Sequence, residues 1–443
     1  MERIRIRGGR PLCGAVRVHG GKNAVLPILT ATAAIRGRFI LHNCPAIRDV
    51  EITQELLAAQ GVTCVRTGDT LRVDSTGLRP GPIDHRLAGR LRSSVLFLGA
   101  LLTAFGAAEI PLPGGCVLGA RPLDLHRSGL ESLGVETACE SSGLIARGRP
   151  RSGTVILRYP SVGATENLLL AALGAAGPVR ILGAAREPEI DDLCAFLTAC
   201  GAELRGVGTA CLTLTPRPLH GAEHRILPDR MEAATYLCAA ACAGGALTLT
   251  GLIPAQLAPV TQALQAAGCT IEDGADGITI HGTARRAIPP VRTGPYPGFP
   301  TDAQAPLTAA LLRAEGSTVL EETVFENRFR HLPALEKMGA RIEGGGTLIR
   351  IRGVPSLHGA AVDATDLRGG AAMVCAALGA DGETLISHAG LLDRGYQDLI
   401  PILRSLGADA EADEPKRTTL VVVLHRGAVQ ACGDGVGHAL AIH

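Results

Sequence analysis

Cys116 lies between Gly114-Gly115 and Gly119, with Arg121 and Pro122 close behind it. Glycines on both sides free the backbone torsions, so the segment can swing and close. A thiol in such a loop, beside a fixed cation, is placed to share or lose a proton, since its reference pKa of about 8.5 is within reach of neutral pH. The plainer reading is a tight turn in which Cys116 fills a small apolar gap. Elsewhere Lys22, Arg92, Ser161, Arg230, Asp302 and Arg368 each stand where the chain enters an Ala/Leu-rich run. Helix starts carry unpaired N–H groups and a partial positive charge, so cations gathered at several of them make a pocket for an anion. A proton donor, a carboxylate and a set of cations suit acid–base chemistry on a small, highly anionic substrate.

These residues recur because the chain repeats itself. Helix entries at Gly21, Arg92, Ser161, Pro228, Pro300 and Asp366 follow one another at intervals of 66 to 72 residues. A second marker, a helix end running through glycine into a strand, recurs at Gly61, Gly134, Gly201, Gly268, Gly339 and Gly407. Glycine after a helical run is the left-handed stop. Hairpin signals follow, as at 62–66 and 70–73, 270–272 and 278–281, and 341–343 and 348–351, each pair flanking a Gly- or Asp-rich turn. Each unit therefore reads strand, helix, strand, helix, strand, strand. Six such units cannot bury their faces singly and must pack together. With 443 residues, three units per domain predict two α/β domains. The N-terminal strand precedes the first unit and is predicted to complete the last one. Equivalent helix starts then point to one side and line a cleft between the domains.

Composition narrows the classes. Net charge is +1, with no basic tail and no aromatic–basic interleaving, which argues against a nucleic-acid platform but leaves a local cationic pocket open. No apolar run reaches the roughly 18 residues of a spanning helix. Met1–Arg7 alternates charge with isoleucine and reads as a strand, not a secretion signal, so no membrane insertion and a cytoplasmic location are expected. The 13 cysteines are scattered. Cys238, Cys242 and Cys375 lie in alanine-rich runs and read as core filler in a reducing compartment. Cys238 and Cys242 lack a second ligand pair, so no metal site is expected.

Nine strings, in order across the six units, carry a resemblance. They are Gly20–Ala24, Pro113–Pro122, Pro160–Asn167, Ala185–Ile190, Leu227–Arg230, Tyr296–Asp302, Phe325–Phe329, Ala364–Arg368 and Asp393–Tyr396. Together they resemble the UDP-N-acetylglucosamine 1-carboxyvinyltransferases, enolpyruvyl transferases of bacterial cell-wall precursor synthesis, from about residue 3 to about residue 410. The resemblance implies a two-domain inside-out α/β barrel of six βαβαββ units, three per domain. It implies one domain over 22–227 with the Cys116 loop and a second over 1–21 plus 228–424, while the Gly/Ala-rich 425–443 reads as a disordered tail. It also implies phosphoenolpyruvate and UDP-N-acetylglucosamine as substrates and no cofactor. The sugar 3-hydroxyl adds to C2 of phosphoenolpyruvate, a proton adds to C3, and phosphate leaves from a tetrahedral intermediate.

By the same resemblance, Cys116 is the proton donor, and fosfomycin, an epoxide mimic of phosphoenolpyruvate, adds to it. Asp302 is the base for the sugar hydroxyl, although Thr301 or Asp302 could equally cap a helix. Asp366 stands between capping and catalysis in the same way. Lys22, Asn23, Arg121, Arg328, Arg368 and Arg394 match the phosphoenolpyruvate contacts, with Lys22 and Arg394 also counted as catalytic. Arg92, Arg121, Pro122, Leu123, Asp124, Leu125, Ser161, Val162 and Gly163 match the nucleotide-sugar contacts, with Asp302 and Val324 at the sugar. Glu187 and Glu189 match acidic positions suited to a scaffold or a site. Some positions depart from the pattern. Arg368-Gly369-Gly370 replaces Arg-Ala-Ser, at about 1 kcal/mol per glycine in a helix. Pro160 stands where relatives have a polar or basic residue. These departures leave open a paralogue acting on another nucleotide sugar, or an inactive protein that only binds one. The loop thiol argues against the shikimate-pathway relative.

Overall fold

The computed structural model describes residues 2–111, 123–141 and 143–413, together with the strand backbones Val421–His425 and Ala428–Cys432. Six helices carry its interior: α1 (Lys22–Ala31), α2 (Phe97–Phe105), α3 (Val162–Ala172), α4 (Arg230–Ala243), α5 (Thr301–Leu311) and α6 (Leu367–Leu378). Gly21, Ser161, Asp229, Pro300 and Asp366 are the residues just before five of them. Arg92 instead opens a 3-10 turn, Arg92–Leu96, that runs into α2. Alanine, leucine and cysteine make these helices apolar on nearly every face, and α4 is buried from Arg230 through Cys242. A helix apolar all round must be covered all round. The sheets therefore lie outside and the helices inside. Small residues let the axes approach. A Cβ added at Gly99 of α2 would sit 2.2 Å from the Asn167 carbonyl oxygen of α3.

Among the described residues, five four-stranded sheets follow one pattern, a parallel strand and a central strand joined to an antiparallel pair. Val291–Arg292, for example, runs parallel to Ser317–Glu321, which pairs antiparallel with Leu348–Arg352 and through it with Arg341–Gly345. Among the described residues the sixth sheet holds Ala107–Ile110, Gly143–Arg147 and Glu136–Glu140. Here the equality of six units fails. The stretch that should supply the parallel strand reads Arg79-Pro80-Gly81-Pro82 and forms none. Its prolines remove the ladder donors. The six glycines that end the outer helices all have positive φ, from 78° to 104°. The N-terminal strand Arg3–Arg7 inserts between Glu383–Ser387 and Asp409–Asp413, antiparallel to both, and so completes the last unit as predicted. A correction falls on the far terminus. Val421–His425 pairs antiparallel with Ala428–Cys432, a strand inside the stretch read as a tail. The signal was Arg426-Gly427 between two β-prone runs.

Two separate hydrophobic cores result. One draws on residues from Ala24 to Ile226, the other on Ile4 to Val18 and Met231 to Ala410. The chain crosses between them twice, and the crossings lie side by side. Gly20 bridges Pro228, the Gly21 N–H donates to the Leu227 carbonyl at 2.7 Å, and the Asp229 N–H donates to the His19 carbonyl at 2.8 Å.

Candidate active site

At the start of α5 the backbone enters from an extended Pro300, and no side chain caps the helix. The Thr301 hydroxyl donates instead to Glu322 at 2.9 Å. Asp302, in the first turn, is thus free of capping and turns to two guanidinium groups. Arg328 Nη2 lies 2.5 Å from its Oδ1, and Arg368 Nε and Nη2 lie 3.2 and 3.0 Å from its Oδ2. Both arginines are buried, while the Asp302 side chain stays 28% exposed and so reachable. Burial alone would raise the Asp302 pKa, but Arg368 and Arg328 outweigh it and hold the carboxyl well below its usual range. Arg368 is fixed from behind. Its Nη1 donates to the Tyr396 hydroxyl at 3.0 Å, which is 2.8 Å from Thr235 Oγ1. Asp366 behaves differently: its Oδ1 accepts from Arg368 N and Gly369 N, both at 3.0 Å, so it caps α6. Gly369 has a packing reason, since an added Cβ would lie 2.7 Å from Thr365 Oγ1.

A second cluster joins the two cores. Lys22 Nζ lies 2.6 Å from Asp49 Oδ2, and Arg394 donates to the same carboxylate through Nε at 3.0 Å and Nη2 at 3.2 Å. Burial lowers the Lys22 pKa, with Asp49 opposing it. The Lys22 charge also acts on Asp302, which ties the two clusters into one field. Asn23 is exposed in the first turn of α1. Arg230 is not available to a ligand as the helix-start pattern implied. It forms a bidentate pair with Glu189, at 2.8 and 3.1 Å, beneath the Tyr296 ring. Glu187 accepts from the Tyr296 N–H at 3.2 Å. Both glutamates are thus struts between the cores.

The third group lies on the first core alone. Ser161 caps α3 by accepting from Ala164 N at 3.3 Å, with Val162 and Gly163 in the first turn. Leu123 precedes the helix Asp124–Ser132, in which Leu125 is half-buried and Asp124 pairs with Arg158. Arg92 is half-buried at its 3-10 turn. From the other core, Val324 donates through N–H to the buried Glu322 at 2.8 Å. Cys116, Arg121 and Pro122 lie outside the described residues.

The comparisons agree with one another. The family model described as EPSP synthase (3-phosphoshikimate 1-carboxyvinyltransferase) matches residues 6–403. A UDP-N-acetylglucosamine 1-carboxyvinyltransferase of Granulibacter bethesdensis is 42% identical over 416 residues, covering 93% of this chain and 99% of its own. One of Caldanaerobacter subterraneus subsp. tengcongensis, numbered 2, is 44% identical over 413 residues, covering 92% and 99%. The chain belongs to the UDP-N-acetylglucosamine 1-carboxyvinyltransferase family. Among solved structures, the enolpyruvyl transferase NikO from Streptomyces tendae superposes with a TM-score of 0.83 at 28% identity, covering 93% of this chain and 98% of its own. EPSP synthase from Acinetobacter baumannii, with a TM-score of 0.71 at 19% identity, over 93% and 100%, shares the fold. The family architecture is therefore the two-domain inside-out α/β barrel of six repeats, three per domain.

Two residues of the site escaped the sequence reading. Asp49 was hidden because Arg48-Asp49 reads as an ordinary charged helix start. His126 was hidden because a lone histidine on an amphipathic helix reads as core. Its Nδ1 lies 2.9 Å from Asn167 Nδ2, and Asn167 Oδ1 already accepts from Gly99 N at 2.7 Å. The amide therefore donates to Nδ1, and the ring proton sits on Nε2. Burial, then the Arg92 charge, pushes the His126 pKa down to about 4, so the ring is neutral at pH 7. A Cβ added at Gly163 would lie 3.7 Å from that Nε2, which sets the ring beside the start of α3.

Proposed function

We propose that this chain transfers the enolpyruvyl group of phosphoenolpyruvate to the 3-hydroxyl of UDP-N-acetylglucosamine and releases phosphate, the first committed step of peptidoglycan precursor synthesis. The observation that carries the reading is Asp302, uncapped and reachable between Arg328 and Arg368, within the field of Lys22. Relatives 42% and 44% identical bear the name of this activity. In the reaction, the sugar oxygen bonds to C2 while its proton goes to Asp302. The Cys116 thiol gives a proton to C3, and the developing charge on carboxylate and phosphate is met by Lys22, Arg121, Arg328, Arg368 and Arg394. The bond from C2 to the phosphate oxygen then breaks, C3 loses a proton, and the double bond re-forms. Guanidinium groups suit the planar carboxylate, while Lys22 supplies a compact charge. Asn23 hydrogen-bonds the intermediate. Ser161, Val162 and Gly163 offer N–H groups at a helix start for the diphosphate, beside Arg92, Pro122, Leu123, Asp124, Leu125 and the neutral His126. Val324 meets the sugar. The two cores are read as domains over 22–227 and over 1–21 with 228–424, closing on the substrates in the cytoplasm. Among the described residues no helix is long and apolar enough to cross a membrane.

The test is phosphate release with both substrates present. Release that requires both is expected, and none from a folded protein would end the reading. In parallel, fosfomycin should add mass to Cys116 alone. Burial pushes Cys238, Cys242 and Cys375 well above the usual thiol range, so they stay protonated and inert. One observation favours a second reading, transfer to a different nucleotide. Asp124, matched to the uridine contacts, is held by Arg158. Faster turnover with another nucleotide sugar than with UDP-N-acetylglucosamine would select it.

A further inference from the structure

Asp49 sits in the first turn of the helix Arg48–Ala59, with a side chain 1% exposed. Its carboxylate touches Lys22 from the first core and Arg394 from the second, and both cations hold its pKa below the usual carboxylate range against the effect of burial. Beside it the Ala46 N–H donates to Gln397 Oε1 at 2.7 Å, a second contact between the same two segments. Lys22 is largely withdrawn from water and Arg394 partly so, and unpaired charge at low dielectric is costly, so an anion between them is favoured. A phosphate group approaching Lys22 and Arg394 meets two cations, one charge of which Asp49 already balances. We infer that Asp49 is the resident counter-anion of the phosphate subsite, and that it exchanges with the phosphate group during the cycle. This rests on the activity proposed above. Before substrate binds, Asp49 holds Lys22 and Arg394 together on one carboxylate and latches the second domain to the first. When the phosphoryl group arrives, the cations are shared with it. After the C2–O bond breaks, Asp49 takes them back and weakens the hold on the departing phosphate. Asp49 is thus a positioning residue that sets release as well as binding.

A merely structural carboxylate and an exchanging one predict opposite signs. Asp49→Asn keeps the shape and removes the competing charge. Inorganic phosphate, titrated calorimetrically, should bind the variant about tenfold tighter than the wild type, the scale of one modest ion-pair coupling. The KM for phosphoenolpyruvate should fall, and kcat should fall with it as phosphate release slows. Asp49→Glu keeps the charge and should leave the phosphate affinity within a factor of about three of wild type, which covers the case in which the asparagine variant does not fold. Unchanged or weaker phosphate binding in folded Asp49→Asn, or a large gain in phosphate affinity in Asp49→Glu, would overturn the proposal. Absence of turnover in the wild type would instead sink the activity reading, since phosphate binding is measured without turnover.

Discussion

Asp302 poses the sharpest question at the scale of a residue. A carboxylate gripped by two guanidinium groups is a weak base, because its charged form is already satisfied. On the proposed activity, it becomes useful when the substrate's own anions draw Arg328 and Arg368 toward them. The grip also has a pH consequence. With a depressed folded pKa, the stabilisation from these contacts is present above the ordinary carboxylate pKa and is lost only as pH falls through the lower folded value. From pH 7 down to about 4, no loss of activity should trace to Asp302. Asp302→Asn should lower kcat by roughly a hundredfold to ten-thousandfold, the range for removal of a general base, with the fold intact by circular dichroism. A variant that keeps wild-type kcat would show that the carboxylate only scaffolds its arginines.

At the scale of an element, the starts of α5 and α6 look alike in sequence and differ in structure. Each has an aspartate near its first turn, yet Asp366 caps its helix and Asp302 does not. Pro300 makes the difference. It occupies the cap position that Asp366 holds in α6 but has no side-chain acceptor, Asp302 lies inside the helix, and the Thr301 hydroxyl is spent on Glu322. Asp366 has more to hold together, since Gly369 and Gly370 follow it in the first turns of α6. Asp366→Ala should cost about 1 to 2 kcal/mol, read as a lower denaturation midpoint, and raise the KM for phosphoenolpyruvate by loosening Arg368. Asp366→Asn can still accept from the two N–H groups and should keep most stability and turnover. If Asp366→Asn proves as inactive as Asp302→Asn, capping is not its whole role.

Away from the two chain crossings, polar contacts fasten the cores at two places among the described residues. Asp49 with Arg394 and Ala46 with Gln397 lie at one, and Glu189 with Arg230 and Glu187 with Tyr296 at another. The side chains of Arg230 and Glu189 are 9% and 8% exposed, so removing one partner leaves the other charged and buried. Glu189→Gln should destabilise the protein by about 3 to 5 kcal/mol and weaken the domain interface, seen as a larger radius of gyration in solution scattering. A variant with unchanged midpoint and radius would show that the pair carries no interdomain load. The sequence by itself determined the repeat, the helix starts and the glycine stops, because periodicity, caps and turn residues act over a few positions. Only the tertiary structure decided that Arg230 belongs to Glu189, that Asp302 is uncapped, and that Asp49 answers Arg394 from 345 residues away. Such pairings have no local signature: they exist because two separately packed cores bring distant charges into one water-poor cleft, where each must find a partner.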